Sequence, residues 1–452
     1  MKRALAPLLL LLGVLVLAAP ASALDIKEVT SPAGVKAWLV EDHSNPILTL
    51  SFSFVGGRSS DPAGKEGRAR LVSGLLDEGA GERDSTAFQK ALTEDSISLR
   101  FNARTDRFAG ELVTLTETRA RAVELLRLAL TAPRFDPEPV ERIRAQILAS
   151  LRYDQQNPRS IASRAWWGAS FPGHPYGRSG DGTPDSVAAV TVDDLRGFVG
   201  STFARDRLVV AAVGDIDAAG LAGLLDEVFG ELPAQGSAPV AADTAPQAAA
   251  QTYVVPQQVP QSVVVFGHQG IARNDPDWYA ASLLNEIMAG GFGSRLTEEI
   301  REKRGLVYGV YAYLLPLDHA PLVLGGLATQ NARVAESIAL VRQEWQRMAE
   351  SGPSAEELAD ARTYLLGSFP LRLTDSDGTA SVLMGLQEAD MPIDYLDRRE
   401  ALFQAVTLDD MKRVASRLYR PEQLTVVVVG QPEGVTATAP VPAIPGVPAG
   451  GG

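Results

Sequence analysis

A stretch of 24 residues is written twice in this chain. Thr191-Val-Asp-Asp-Leu-Arg leads through Phe203 to Leu208-Val-Val-Ala-Ala-Val-Gly214, and Thr407-Leu-Asp-Asp-Met-Lys leads through Tyr419 to Leu424-Thr-Val-Val-Val-Val-Gly430. The two threonines and the two closing glycines are each 216 residues apart, so the unit recurs without insertion or loss. In each copy the threonine caps a short amphipathic helix, and the β-branched run after it fits a strand covered on both faces. Earlier segments match too. Leu48 to Val55 and Ser262 to Phe266 read as strands, each followed by an arginine, an Asp-Pro turn (Arg58, Asp61-Pro62; Arg273, Asp275-Pro276) and a helix. The chain is therefore expected to hold two duplicated α+β halves. Strands and helices are grouped within each half instead of alternating strictly, which favours mixed or antiparallel sheets with helices packed on them over a doubly wound sheet.

The boundaries follow from composition. Residues 24–233 and 252–432 are the two expected domains. Residues 234–251, rich in Ala, Pro, Gln and Ser with no apolar period, read as a flexible linker. Residues 433–452, rich in Pro, Ala, Gly and Val, read as a disordered tail. Residues 1–23 have a basic start (Lys2, Arg3), an apolar run from Leu8 to Ala19 too short for a membrane span, and Ala21-Ser22-Ala23, the pattern of a secretory signal peptide. The mature chain is expected to begin at Leu24 and to be exported, periplasmic in a Gram-negative cell. Without cysteine there is no disulfide or thiol-linked lipid, so a large core has to hold the fold. A net charge of −13 argues against nucleic acid or an anionic membrane as the main partner.

Within the halves, Ser354-Ala-Glu-Glu357 is a capping box ahead of a helix towards Leu366, and Val140, Ile143, Ile147 and Leu151 sit at helical spacing. Trp166-Trp167, near Phe171, read as core packing. Gly290-Gly-Phe-Gly293 follows a helix and not a strand, which argues against a nucleotide fingerprint and for a flexible turn presenting Ser294 and Arg295. His43, His174, His268 and His319 are scattered, none at ligand spacing from another, and Asp77 with Glu78 would make at best a weak hard-cation site.

Several segments, in this order, resemble the pitrilysin/insulinase-type (inverzincin) zinc metallopeptidases: Val55-Gly-Gly-Arg58, Phe101-Asn102-Ala103, His174-Pro-Tyr-Gly177, Gly290 to Leu296 and Arg301-Glu-Lys-Arg-Gly-Leu-Val-Tyr308. The family carries H-x-x-E-H on a helix, and the corresponding positions here are Arg70, Ser73 and Gly74. Its third ligand, a glutamate about 76 residues on, corresponds to Ser150. A guanidinium, two hydroxyls and a bare glycine supply neither the ligands nor the base, so zinc is not expected in this chain.

The resemblance implies two α+β halves forming a clam-shell half-chamber, with Phe101, Asn102 and Ala103 on a strand beside the extended substrate. It also implies that Arg301 and Tyr308 act in trans, reaching the zinc site of a catalytic H-x-x-E-H partner and donating hydrogen bonds to the substrate carbonyl. The implied role is that of a non-catalytic subunit, inactive alone, of an exported heterodimeric peptidase acting on unfolded peptides. Its alternative is a catalytically uninvolved scaffold or peptide-binding protein with the same fold.

Overall fold

The computed structural model describes residues 24–247, 250–441 and 443. The expected signal peptide lies outside them, as does most of the end of the expected tail.

Strands β1 (Ile26–Thr30), β2 (Lys36–Glu41), β3 (Ile47–Val55), β4 (Ser98–Ala103), β5 (Arg107–Leu115) and β6 (Leu208–Gly214) form one sheet in the order β1-β2-β6-β3-β5-β4. Strands β7 (Thr252–Pro256), β8 (Gln261–Gln269), β9 (Val307–Pro316), β10 (Pro321–Gln330) and β11 (Thr425–Gly430) form a second, in the order β7-β11-β8-β10-β9. Leaving β1 aside, the two orders are the same. The repeated strands, β6 and β11, each run parallel to one neighbour and antiparallel to the other. The fold is α+β with two similar lobes, as the duplication requires.

The repeat is reproduced to the level of single hydrogen bonds. Thr191 and Thr407 each accept the amide of the aspartate three residues on, at 3.2 and 3.1 Å, and each aspartate returns the contact to the threonine amide, at 2.7 and 3.0 Å. Gly214 and Gly430 close their strands at positive φ, 130° and 148°. A Cβ at Gly214 would lie 2.1 Å from the carbonyl oxygen of Ile47, and one at Gly430 2.3 Å from Ser262 Oγ. Each glycine thus lets its strand end against the start of the neighbouring one.

The valine runs of the repeat are buried because both faces of each sheet are covered. One face is covered by helices of the same half, packed around Phe52, Phe54, Phe108 and Phe203 in the first lobe and Phe266, Trp345 and Tyr419 in the second. The other face is covered by a helix from the opposite half. The helix Pro158–Ser170 lies on β8 and β11, and the helix Ser376–Glu388 lies on β3 and β6. Trp166 is fully buried there, its indole N–H donating to Thr425 O at 3.3 Å. In return Glu388 accepts from Ser53 Oγ at 2.7 Å and from Arg104, while Thr49 Oγ1 donates to Asp377 at 2.9 Å. Tyr176, from His174-Pro-Tyr-Gly177, donates to Asp106 at 2.6 Å and accepts the amide of His319 from the second lobe at 3.2 Å. That motif is an inter-lobe junction.

Residues 234–247 contain no helix or strand but are tied down, with Thr244 and Gln247 amides donating to His319 O and Ser170 O at 2.9 and 2.8 Å. At the start of the expected tail, Glu433 and Thr438 amides donate to Asn331 O and Thr252 O, and Val435 packs on the second core. Val435 and Val441 find apolar surface that composition alone does not reveal.

His268 is sealed beside Trp345. Its Nε2 accepts the indole N–H at 2.9 Å and its Nδ1 lies 2.7 Å from Gln269 O, an arrangement that suits the neutral ring. Burial pushes its pKa down to about 4. The unfolded chain therefore binds the extra proton first: the contribution is complete above about pH 6.5 and is lost as pH falls towards 4, about 3 kcal/mol in all. His268→Gln should flatten that part of the stability profile in urea titrations between pH 7 and 4. An unchanged slope would mean that His268 titrates normally.

Candidate functional site

The four positions aligned with the zinc machinery meet in space. The helix Arg68–Ser73 starts over Asp61, whose carboxylate accepts the amides of Gly67 and Ala69 at 3.0 and 3.1 Å and pairs with Arg68 at 3.3 Å. Burial pushes the Asp61 carboxyl up to about 6, against the pull of Arg68 and the amides. From this helix Arg70 Nη2 donates to Ser150 Oγ at 3.3 Å on the helix Pro137–Asp154. Ser73 Oγ turns back to Arg70 O at 2.9 Å, and Gly74 ends the helix where a Cβ would lie 3.0 Å from Ile143 Cγ2.

These residues do not fit zinc. A permanent cation sits among them, and among the described residues no three of His, Cys, Asp or Glu come together to hold a metal. The oxygen donors nearby are engaged elsewhere, Glu78 with Arg142 at 2.6 Å and Asp77 with Gln89 at 3.2 Å. His43 pairs with Asp215 and His319 with Asp243, while His174 Nε2 lies 2.9 Å from Ala242 O.

Next to this helix, β4 is the edge of the first sheet, paired only with β5. Its outer edge has no strand neighbour among the described residues, the requirement for adding an extended peptide. The Phe101 ring packs towards Phe52 and Phe108, with centroids 6.4 and 6.3 Å away, Ala103 is buried, and Asn102 faces out. Of the three residues, Asn102 is the one whose side chain is open to a ligand.

Arg301 and Tyr308 are brought together in the second lobe. Arg301 sits on a π-helical turn, Thr297–Glu302, in which the Lys303 amide reaches back to Glu298 O at 2.9 Å. Tyr308 is the second residue of β9, the edge of the second sheet. The Arg301 guanidinium carbon lies 5.5 Å from the Tyr308 ring centroid and 4.9 Å from that of Phe292. Tyr308 is 91% exposed and Phe292 76%. The guanidinium is positioned by cation–π attraction to the two solvent-facing rings and by Glu302, whose carboxylate lies 3.2 Å from Arg301 Nε, while the Tyr308 phenol stands in solvent, open to an acceptor.

The glycine-rich turn behaves differently from its sequence reading. Ser294 and Arg295 are buried, and the residue it presents is Phe292. Glu357 takes Arg295 inward in a two-point ion pair at 2.6 and 2.8 Å, with a further bond to Gly352 O at 3.1 Å. Phe292 was legible only as a large apolar side chain flanked by glycines, with no helical or strand period to bury it.

Comparison with known proteins agrees with this geometry. Residues 189–365 match the family described as the peptidase M16 inactive domain. The non-peptidase homolog YmxG of Helicobacter pylori is 30% identical over 364 residues, 80% of this chain and 84% of that one. An uncharacterized zinc protease of Streptomyces coelicolor is 28% identical over 86% of both chains. The crystal structure of a peptidase M16 inactive domain from Pseudomonas fluorescens superposes with a TM-score of 0.85 at 27% identity, covering 92% of this chain and 100% of that one.

Proposed function

Since the chain belongs to the pitrilysin-like M16 peptidase family, among its inactive domains, we propose that it is the non-catalytic subunit of an exported two-chain zinc metallopeptidase. In this reading the chain completes a chamber for unfolded peptides and lends Arg301 and Tyr308 to a partner that carries H-x-x-E-H. The observation that carries it is the exposure of Tyr308 and Phe292, gathered with a half-buried Arg301 into one group. Large aromatic rings left in water gain nothing for the fold, and a solvent-facing cluster of this kind suits a surface that meets another molecule. Export remains part of the proposal through residues 1–23; no helix of the described residues is long and apolar enough to cross a membrane.

The chemistry is simple. Guanidinium and phenol donors placed beside a scissile carbonyl bind its oxygen more strongly as negative charge grows there. The free edge of β4 holds an extended chain through its backbone, largely without regard to sequence. Reconstitution tests the proposal. The isolated chain should carry no stoichiometric zinc and cleave nothing, the H-x-x-E-H relative should be slow alone, and the mixture should form a stable complex with higher peptidase activity. A catalytic relative that is fully active alone and ignores this chain would refute it; a complex with unchanged activity would favour the scaffold reading.

A further inference from the structure

Next to the gathered zinc-family positions, but distinct from them, a cavity of about 390 Å³ lies between the helices Pro137–Asp154 and Pro158–Ser170 and the segment 175–181. Arg58, Arg159, Arg164 and Arg178 line it, against Asp154 and Asp181. Such an excess of positive charge runs counter to a chain whose net charge is −13.

The pairing inside the cavity is incomplete. Arg58 is matched by Asp181 at 2.8 Å, and Arg178 reaches Asp61 O at 2.9 Å and Glu66 at 3.5 Å. Arg164 is held on one side by the backbone carbonyls of Asp154 and Ser160, at 2.5 and 3.3 Å. Among the described residues neither Arg164 nor Arg159 has a carboxylate within 4.0 Å. Burial lowers the pKa of Arg164, while Asp154 and Asp181, beyond ion-pair distance, pull it back up. Leu151 and Trp167 give the same cavity an apolar wall.

We propose that this cavity is a carboxylate site, in which Arg164 and Arg159 bind the carboxylate of a peptide and Leu151 and Trp167 take the carbon chain next to it. The inference rests on the peptide-handling role proposed above and adds to it the chemical group that is recognised. The planar guanidinium fork matches a carboxylate in two-point contact, and the apolar wall favours an organic acid over inorganic phosphate. A volume of about 390 Å³ suits the end of a chain or one acidic side chain better than a strand passing through.

Calorimetric titration of the full chain tests it with three peptides: one with a free C-terminal carboxylate, its C-terminal amide, and the amide carrying one internal glutamate. The free acid should bind at least about tenfold more tightly than the plain amide, and Arg159→Gln and Arg164→Gln should each weaken it by about tenfold. Arg164→Lys should recover part of the loss. Among the described residues the Arg159 side chain has no partner, so its variant keeps the result interpretable if Arg164→Gln unfolds. Recovery of tight binding by the glutamate-bearing amide supports the site with a side-chain carboxylate as ligand. Peptide binding indifferent to amidation and to both variants overturns the cavity assignment while leaving peptide handling intact. Absence of all peptide binding overturns both.

Discussion

Arg301→Ala and Tyr308→Phe, each assayed in the two-chain complex proposed above, are expected to lower kcat by about 10²–10³ without loss of assembly. The size of the effect comes from what the groups do. A preorganised donor aimed at developing oxyanion charge contributes most in the transition state, so its removal is felt in turnover more than in affinity. Tyr308→Phe is the sharper test, because it keeps the ring that lies 5.5 Å from the Arg301 guanidinium and removes only the hydroxyl. The double variant should lose less than the sum of the two, as groups acting on one oxygen do. Phe292→Ala should fall between them and wild type, since it loosens Arg301 without touching a donor. Normal kcat in the double variant would reduce the chain to a scaffold.

Trp166→Ala is expected to have the largest effect on the fold, about 3–5 kcal/mol. The indole is fully buried, donates to Thr425 O, and lies so close to β8 that a Cβ on Gly267 would sit 2.8 Å from its Cζ2. It belongs by sequence to the first half and by packing to the second. Wild-type protein should therefore unfold in a single transition by circular dichroism and calorimetry. In the variant that transition should move down sharply, and the lobes should begin to melt apart. Two separate transitions in the wild-type protein would show that the exchanged helices contribute little.

The duplication was legible because its signals are local: a threonine cap, an amphipathic period, a run of valines and a closing glycine each follow from neighbouring residues. The same holds for the capping box at Ser354, where Ser354 Oγ accepts the Glu357 amide at 3.1 Å, and for the helix Pro137–Asp154. The adjacency of Arg70 and Ser150 came from family spacing, and the 3.3 Å contact agrees with it. Arg295 was misread because its burial depends on Glu357, 62 residues away, and no local pattern carries a long-range ion pair, while Ser294 turns its hydroxyl inward to Gly291 O and Thr297 Oγ1. The exchange of helices was hidden for a similar reason. A strand with both faces buried announces that something covers it, but not which half supplies the cover.

That exchange limits how the molecule can move. A bending motion between lobes would have to peel Trp166 from one sheet and the Ser376–Glu388 helix from the other, exposing both at once. The shell is thus braced against flexing about its own middle, and cutting the connection at 234–251 would leave the two pieces clasped. In the two-chain complex proposed above, a gate that admits a peptide would then open between the two chains and not within this one.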